Sequence, residues 1–254
     1  MKLKGNVVLV TGGASGLGGS VVERLASQGA ELVVLDLNEE LGKKLAKQVN
    51  GIFVKADVTD ELQINQAFDQ AEEFYKKKVR VVVNCAGIGP PGKAIDREGK
   101  ALPLQAFTRI IDINLNGTFN VLSKFAARLC RETVEGEERG VIVNTASVAA
   151  FDGQIGQPAY AASKAGIVGM TLPLAREFAR YRIRVMTIAP GIFLTPLLAT
   201  LPQDVQDSLG AQVPFPSRLG QPDEFAQLVE SIISNPMLNG EVIRLDGAIR
   251  MTAK

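Results

Sequence analysis

The chain of 254 residues contains no histidine and no tryptophan, and it has only two cysteines and three tyrosines. Without histidine there can be no Ser-His-Asp triad, no Cys-His dyad and no histidine-based metal site, and we predict no metal site of any kind. Cys85 and Cys130 are too few for a disulfide framework in a chain of this length, which favours a reducing compartment. Any proton transfer near neutral pH must therefore use a residue other than histidine.

The charges are nearly balanced, with 28 lysines and arginines against 27 acidic residues. This balance provides no basic excess for nucleic acid and no acidic tail. No apolar run approaches the roughly 18 residues that a membrane span needs. A strand-like run begins by about residue 6, which leaves no room for an ordinary signal or transit peptide. The sequence predicts a soluble, intracellular protein, in the cytoplasm of a bacterium or in a compartment such as the mitochondrial matrix of a eukaryote.

Short β-rich runs alternate with longer helical patterns along the whole chain. Several of the runs are continuously apolar, as in strands that are covered on both faces. The predicted strands are 7–10, 31–36, 51–57, 79–84, 140–147, 183–189 and 241–246, and the predicted helices are 17–28, 60–77, 104–131, 159–179 and 222–233, with a weaker one at 38–48. This order predicts an α/β fold. We expect a single doubly wound Rossmann-type domain over 1–254, with a mostly parallel sheet of about seven strands and helices on both faces.

The longest irregular stretch is predicted at 190–221. A loop of this length in a compact domain is usually a lid or a binding loop. We therefore expect a substrate-binding lid that covers something apolar. Its large apolar residues are Phe193, Leu194, Leu197, Leu198, Leu201 and Phe215.

A glycine-rich turn, TGGASGLG at 11–18, follows the first strand and opens the first helix. Gly12, Gly16 and Gly18 permit a tight turn, close approach of a phosphate and close packing of the helix, whose free N–H groups favour a pyrophosphate. A flexible turn would explain the glycines alone. The preceding strand and an acidic residue about 20 positions later indicate a dinucleotide site instead.

Asp36 ends the second strand and bears on the choice of dinucleotide. A carboxylate there can accept hydrogen bonds from the adenosine ribose hydroxyls and would repel a 2′-phosphate. No basic residue lies in the glycine turn or directly after Asp36, where LNEE follows. NAD is therefore predicted over NADP, although Asp36 could also be the N-cap of the weak helix that follows.

With these features the sequence resembles the short-chain dehydrogenase/reductase family over essentially its whole length. The turn has the spacing Gly-x-x-x-Gly-x-Gly, and Asn84-Cys85-Ala86-Gly87 is similar to a strand-4 motif that usually reads Asn-Asn-Ala-Gly, so that Cys85 is a departure. Longer stretches, such as 140–179 and 238–251, resemble the branch of type II 3-hydroxyacyl-CoA dehydrogenases, also described as type 10 17β-hydroxysteroid dehydrogenases.

The resemblance implies roles for further residues. Asp57 and Val58 match the pair that lies against the adenine ring, and Pro190-Gly191 with Thr195 matches the segment that holds the nicotinamide carboxamide. It also implies a homotetramer. The complete set of predicted cofactor-binding residues is Gly12, Ser15, Leu17, Gly18, Asp36, Asp57, Val58, Cys85, Ala86, Gly87, Tyr160, Lys164, Pro190, Phe193 and Thr195.

The segment PAYAASKAG, 158–166, carries the predicted acid/base chemistry. Tyr160 and Lys164 are four residues apart and share a helix face. The ordinary pKa of tyrosine is roughly 10, and a nearby positive charge favours the phenolate and can bring this pKa towards the working pH. Ser147, thirteen residues before Tyr160 and predicted to end strand 5, can donate a hydrogen bond to the substrate oxygen. Tyr160 and Ser147 are thus also the predicted substrate-binding residues.

Asn114 matches the family asparagine that holds a water linking the lysine to bulk solvent. An asparagine inside a helix can instead be satisfied by backbone hydrogen bonds. We therefore predict Asn114, Ser147, Tyr160 and Lys164 as the catalytic residues. The small residues at 159, 161, 162, 163, 165, 166 and 169 let their helix pack closely against the sheet or against another subunit.

The predicted activity is NAD-dependent interconversion of a secondary alcohol and a ketone. The resemblance implies that the substrate is a 3-hydroxyacyl-CoA, with hydroxysteroids as further substrates. A 3-oxoacyl-carrier-protein reductase is the alternative enzyme, but such reductases normally use NADPH, which Asp36 opposes. A non-catalytic scaffold subunit is the alternative of another class, and the presence of both Tyr160 and Lys164 opposes it.

Overall fold

The structure is a computed structural model that describes residues 1–133 and 136–253, apart from the side chain of Leu197. Residues 134, 135 and 254 of the predicted domain therefore lie outside the described part, as does the Leu197 side chain of the predicted lid. In the described ranges the strands form one sheet in the order β3-β2-β1-β4-β5-β6-β7, and every neighbouring pair is parallel. The strands are β1 Val7–Thr11, β2 Glu31–Asp36, β3 Ile52–Lys55, β4 Val79–Asn84, β5 Gly140–Thr145, β6 Ile183–Pro190 and β7 Val242–Leu245.

Helices cover both faces of this sheet, as a parallel sheet requires. Residues of β1 alternate between the two faces: Leu9 packs with the helices at 61–75 and 117–129, whereas Val10 packs with those at 16–27 and 222–234. The predicted doubly wound α/β fold is confirmed. The helices are α1 Gly16–Ser27, α2 Glu39–Gln48, α3 Glu61–Tyr75, α4 Leu104–Ile111, α5 Gly117–Leu129, α6 Pro158–Ala179, α7 Pro196–Ala199, α8 Gln203–Gly210 and α9 Pro222–Ser234.

The predicted continuous helix over 104–131 is wrong. A π-helical segment, Asp112–Asn116, separates α4 from α5. π segments insert one residue into a helical turn and often occur at functional sites. Here the hydroxyl of Thr118 donates to the carbonyl of Asn114 at 2.7 Å, and the side chain of Asn116 donates to Asp112 at 2.8 Å. These bonds satisfy polar groups around the widened turn.

Two other predicted elements need correction. The stretch 190–221 is not irregular throughout, because it contains α7 and α8. Strand 5 ends at Thr145, so Ser147 does not end the strand but lies two residues beyond it, at the N-cap of a 3₁₀ turn over Val148–Ala150.

None of the described helices combines the length and the apolar character that crossing a membrane would require.

Candidate active site

A cavity of about 850 Å³ opens at the carboxyl ends of the parallel strands. This is the edge at which doubly wound sheets bind their ligands. All the predicted cofactor-binding residues line it, and so do Ser147, Tyr160 and Lys164, whereas Asn114 is buried behind its wall. The structure thus brings the predicted residues together in one place, while their individual roles stay predictions.

The glycine turn is packed too closely to hold side chains at two of its glycines, as the close turn of a dinucleotide site requires. A Cβ on Gly18 would be 2.3 Å from the carbonyl oxygen of Gly12. A Cβ on Gly12, whose φ is +62°, would be 2.8 Å from the backbone nitrogen of Ala86. Ser15 is extended at the N-cap of α1 and its side chain makes no capping hydrogen bond. The helix start therefore presents backbone N–H groups to the cavity, as pyrophosphate binding requires.

Asp36 lies at the cavity wall with its carboxylate held by the backbone. Its Oδ2 accepts a hydrogen bond from the nitrogen of Ala14 at 3.0 Å, and its Oδ1 accepts one from Asn38 at 2.9 Å. The alternative of Asp36 as the N-cap of α2 is wrong, since the side chain of Asn38 accepts from the nitrogen of Leu41. This leaves Asp36 as the fixed carboxylate at the end of strand 2.

The structure adds a cation near Asp36 that sequence reasoning missed. Lys55 is the register partner of Asp36 on β3, although the two residues are 19 positions apart. The Lys55 ammonium lies 3.3 Å from a carboxylate oxygen of Glu39. Because Glu39 partly neutralises it, Lys55 is a weaker attractant for a 2′-phosphate than its position alone suggests. Only the strand register, which the sequence does not state, could have revealed this neighbour.

Tyr160 and Lys164 lie on one face of α6, with the Lys164 Nζ 5.7 Å from the centroid of the tyrosine ring. Lys164 is buried, and its ammonium donates to the carbonyl of Thr145 at 2.8 Å. Burial lowers the pKa of Lys164 to about 8, because removing a charge from water costs free energy. The ammonium is thus close to the midpoint of its titration in the physiological range.

The expected lowering of the tyrosine pKa is not what the geometry produces. Burial raises the pKa of Tyr160, and a hydrogen bond with Ser147 offsets only part of this increase. Desolvation of the phenolate is the main cause of the rise, and the Lys164 ammonium donates its hydrogen bond to the carbonyl of Thr145. The positive charge that the sequence predicted lies near the Tyr160 ring, but the pKa of Tyr160 is nevertheless raised.

The hydroxyl of Ser147 is oriented by the turn that it begins. Its Oγ accepts from the nitrogen of Ala149 at 3.1 Å, and the Ser147 carbonyl accepts from the nitrogen of Ala150 at 3.0 Å. With its oxygen already accepting a backbone hydrogen bond, the hydroxyl directs its proton to the cavity side, where it bonds Tyr160 and where a substrate oxygen could also accept it. This is the direction that a developing oxyanion needs.

Asn114 connects the wall of the cavity to α6. In the π segment, its Oδ1 accepts from the nitrogen of Ile88 at 2.8 Å, and its Nδ2 donates to the Ile88 carbonyl at 2.8 Å and to the Ser163 hydroxyl at 3.0 Å. The side chain is thus satisfied largely by backbone, as in the structural alternative. The water link to Lys164 stays a prediction.

Two further groups support the site. The hydroxyl oxygen of Thr11 accepts from the nitrogens of Cys85 and Ala86, each at 3.2 Å, and so ties strand 1 to strand 4. The thiol of Cys85 accepts from Thr145 at 3.5 Å, and burial raises its pKa to about 11. The threonine directly before the first glycine was the sequence signal for the Thr11 contact.

Comparison with known proteins agrees with this geometry. Residues 6–206 match the family model described as short chain dehydrogenase. The 3-hydroxyacyl-CoA dehydrogenase type-2 of Homo sapiens is 55% identical over 253 residues, which are 98% of this chain and 97% of that protein. The protein of the same name from Drosophila melanogaster is 50% identical over 98% of this chain and 99% of its own.

Solved structures give the same relationship. The crystal structure of 3-hydroxyacyl-CoA dehydrogenase type-2 from Mycobacterium avium is 41% identical, covers 100% of both chains and has a TM-score of 0.93. A 3-ketoacyl-(acyl-carrier-protein) reductase from Brucella melitensis complexed with NADH is 28% identical, covers 98% of this chain and 100% of its own, and has a TM-score of 0.87. The chain belongs to the short-chain dehydrogenase family.

Proposed function

We propose that this protein is an NAD-dependent dehydrogenase that oxidises the 3-hydroxy group of a 3-hydroxyacyl-CoA to a ketone. The observation that carries this proposal is the position of Ser147, Tyr160 and Lys164 on the wall of the same cavity as the dinucleotide turn. The names of relatives that are 50 to 55% identical support the substrate class.

The proposed reaction removes a hydride from carbon 3 and a proton from the hydroxyl oxygen. Bound NAD supplies the hydride acceptor. Tyr160 as phenolate takes the proton, and Ser147 donates a hydrogen bond to the substrate oxygen. Because burial raises the pKa of Tyr160, a positive charge on Lys164 is needed to make the phenolate accessible. In the reverse direction Tyr160 returns the proton.

The segment 190–221 is proposed as the substrate-binding lid of a single domain. Phe193 is buried at its base, whereas Phe215 is 83% exposed. Leu198 of α7 and Leu209 of α8 line the cavity beside Thr195. This arrangement gives the substrate side an apolar wall.

The choice of NAD is tested by kinetics with both dinucleotides. We expect kcat/KM with NAD to exceed that with NADP by at least about tenfold, since a fixed carboxylate repels the 2′-phosphate. Asp36→Asn, which keeps the shape but removes the charge, should narrow this ratio. Equal wild-type rates with NADP would contradict the role of Asp36.

The substrate class is tested by steady-state kinetics with short 3-hydroxyacyl-CoAs, hydroxysteroids and simple secondary alcohols. The second candidate, a carrier-protein reductase, is favoured by a relative named 3-oxoacyl-[acyl-carrier-protein] reductase in Thermotoga maritima, which is 33% identical. It predicts faster turnover of 3-oxoacyl-carrier-protein with NADPH than of the CoA ester with NAD. A scaffold subunit predicts dinucleotide binding without turnover of any of these compounds.

We also propose that the protein is a homotetramer. Ala162, Ala165 and Gly169 form an exposed small-residue face of α6, and a Cβ on Gly169 would contact nothing within 4 Å. Leu172 of α6 and Phe119 of α5 are 44% and 50% exposed. Small residues next to exposed apolar ones are suited to close helix packing between copies. Light scattering coupled to size exclusion tests the subunit number.

A further inference from the structure

A compact group of charges lies next to the candidate active site, on the side of β7. We call it the Arg244 cluster, and it consists of Arg244, Asp152 and Asp246. The guanidinium meets both oxygens of Asp152, with Nη2 to Oδ2 at 2.5 Å and Nη1 to Oδ1 at 3.2 Å. Its Nε donates to Asp246 Oδ2 at 2.7 Å. All three side chains are at most 20% exposed.

The two carboxylates come from segments that are distant in sequence. Asp152 follows the 3₁₀ turn after β5, and Asp246 directly follows β7. A hydrogen bond from Arg244 is the main cause that holds the pKa of Asp152 below its ordinary value. The pair therefore stays ionised at neutral pH. Bidentate pairs between arginine and carboxylate fix orientation as well as distance.

On one side the Arg244 cluster holds the turn that orients Ser147. The backbone nitrogens of Phe151 and Asp152 both donate to the carbonyl of Val148, each at 2.9 Å. Since Ser147 Oγ accepts from Ala149 inside the same turn, residues 147 to 152 form one hydrogen-bonded unit. An ion pair that holds the carboxylate of Asp152 therefore also holds the turn that carries the Ser147 hydroxyl.

On the other side the residues next to the Arg244 cluster contact the proposed lid at two points. Gly191 donates to the carbonyl of Leu245 at 2.9 Å, and a Cβ on Gly191 would lie 3.0 Å from the Cα of Asp246. The carbonyl of Gly247 accepts from the nitrogen of Phe215 at 3.2 Å. The proposed lid, 190–221, is thus attached near its first residues and at Phe215 to the residues that flank Asp246.

We propose that Arg244 is a positioning residue for hydride transfer, which holds the Ser147 turn in register with the segment that begins at Pro190. Neither Arg244 nor Asp152 lines the cavity, so Arg244 acts through Ser147 rather than on the substrate. Reaction rates are sensitive to such register, because a displacement of about 1 Å can cost roughly 100-fold in rate. The inference rests on the proposed function.

A matched control exists in the same chain. Arg24 on α1 also joins two carboxylates, with Nε 2.6 Å from Glu230 and Nη1 2.9 Å from Asp223 of α9. Its side chain is 27% exposed and does not line the cavity. Arg24→Gln and Arg244→Gln therefore remove similar ion pairs, but only the second pair borders the site.

The test compares the two variants in catalysis, by kcat, KM and the isotope effect with substrate deuterated at carbon 3. The Kd of NADH, measured by fluorescence, reports on cofactor binding, and thermal unfolding reports on stability. We expect Arg244→Gln to lower kcat by about 10- to 100-fold, to raise the isotope effect as hydride transfer becomes rate-limiting, and to leave the Kd of NADH within about threefold. Arg24→Gln should keep kcat within about twofold. Arg244→Lys should be intermediate, because lysine keeps the charge but loses the bidentate geometry.

Two outcomes would overturn the proposal. One is that Arg244→Gln lowers the unfolding temperature while kcat and the isotope effect stay at wild-type values, which marks a purely structural ion pair. The other is that the Kd of NADH rises by the factor by which kcat/KM falls, which places the effect in cofactor binding.

If Arg244→Gln does not fold, Asp152→Asn is measured against the same criteria. Should the wild type turn over a simple secondary alcohol but no 3-hydroxyacyl-CoA, the proposed substrate fails, and the comparison is made with that alcohol.

Discussion

Among the described residues, each end of the sheet buries one basic side chain, and the surroundings of the two differ in kind. Arg184 lies at the amino end of β6, where its Nε is 2.5 Å from Glu138 Oε2. Its two Nη atoms donate to the backbone carbonyls of Ile232, Leu238 and Ile233 at 2.8 to 2.9 Å. A buried charge with a counter-charge and satisfied donors is what structural ion pairs require.

Lys164, at the carboxyl end, lacks such a counter-charge. Its ammonium donates to the neutral carbonyl of Thr145, and in the described part of the chain no carboxylate forms an ion pair with it. Burial would also raise the pKa of Glu138, but hydrogen bonds from Arg184 and the N-terminal ammonium bring it below the ordinary value. For Lys164 the attraction of Cys85 restores only a small part of the loss, and the pKa of Lys164 falls to about 8. A buried charge that the fold leaves uncompensated indicates chemistry rather than stability. Three variants test this difference.

The largest effect is expected for Tyr160→Phe. Removing the hydroxyl eliminates the proton acceptor, and general acid–base catalysis contributes about 10²- to 10⁴-fold, so kcat should fall by that range. The Kd of NADH, measured by fluorescence titration, should stay within about threefold, because the ring is retained. Full activity in this variant would show that another group transfers the proton.

Glu138→Gln should act on stability alone. Breaking a buried ion pair by removing one partner costs about 3–5 kcal/mol, so urea denaturation should show a loss of roughly this size. The kcat of the folded variant should stay within about twofold, since Glu138 lies at the end of the sheet opposite the cavity. A loss of kcat without a loss of stability would erase the distinction between the two ends.

Lys164→Met should have a smaller effect on stability, and of the opposite sign. The folded pKa of about 8 is below the ordinary 10.5, so at pH 7 the charged lysine opposes folding by up to roughly 3 kcal/mol. After allowing about 1 kcal/mol for the lost hydrogen bond, the variant should be more stable by roughly 2 kcal/mol at pH 7. The measurement is urea denaturation at several pH values.

The pH dependence provides the control for this variant. The unfolded state keeps the lysine proton at higher pH than the folded state, so the contribution of Lys164 to wild-type stability should rise between pH 8 and 10.5. The Lys164→Met variant should lack this increase and should also lose turnover. If the two proteins changed in parallel over this window, Lys164 would not be the buried titrating group.

The sheet could be predicted well from the sequence, because continuous apolar runs rich in β-branched residues indicate buried strands directly. Its predicted strand 4, for example, agrees with the observed Val79–Asn84 to the residue. The sequence also identified the cavity wall, since the glycine turn, Asp36 and the Tyr160–Lys164 spacing are local patterns. Contacts between distant segments could not be predicted in this way. The proximity of Lys55 to Asp36 and the pairing of Arg244 with Asp152 depend on strand register and on how loops pack.

The direction of the Tyr160 pKa shift was missed for a related reason. The spacing of four residues places Lys164 near the ring, but it does not reveal how deeply both side chains are buried. The π segment was missed because helical patterns lie on both sides of it, and a widened turn is defined by backbone hydrogen bonds that the sequence does not state. The widened turn carries Asn114, whose side chain is hydrogen-bonded to the backbone of Ile88, 26 positions away in the sequence.

The π segment also takes up one extra residue without rotating the helix that follows it. Each residue advances a helix by 100°, at 3.6 residues per turn, and a π turn accommodates one extra residue in the ladder. Deleting a single residue within 112–116 would convert the segment to regular helix and leave both flanking helices intact as helices. The contact of Gly117 with Val58 and the interior face of α5 would nevertheless stay aligned, while Asn114 would lose its reach to Ile88. The extra residue is therefore a separable insertion, whose cost falls on the site and not on the fold.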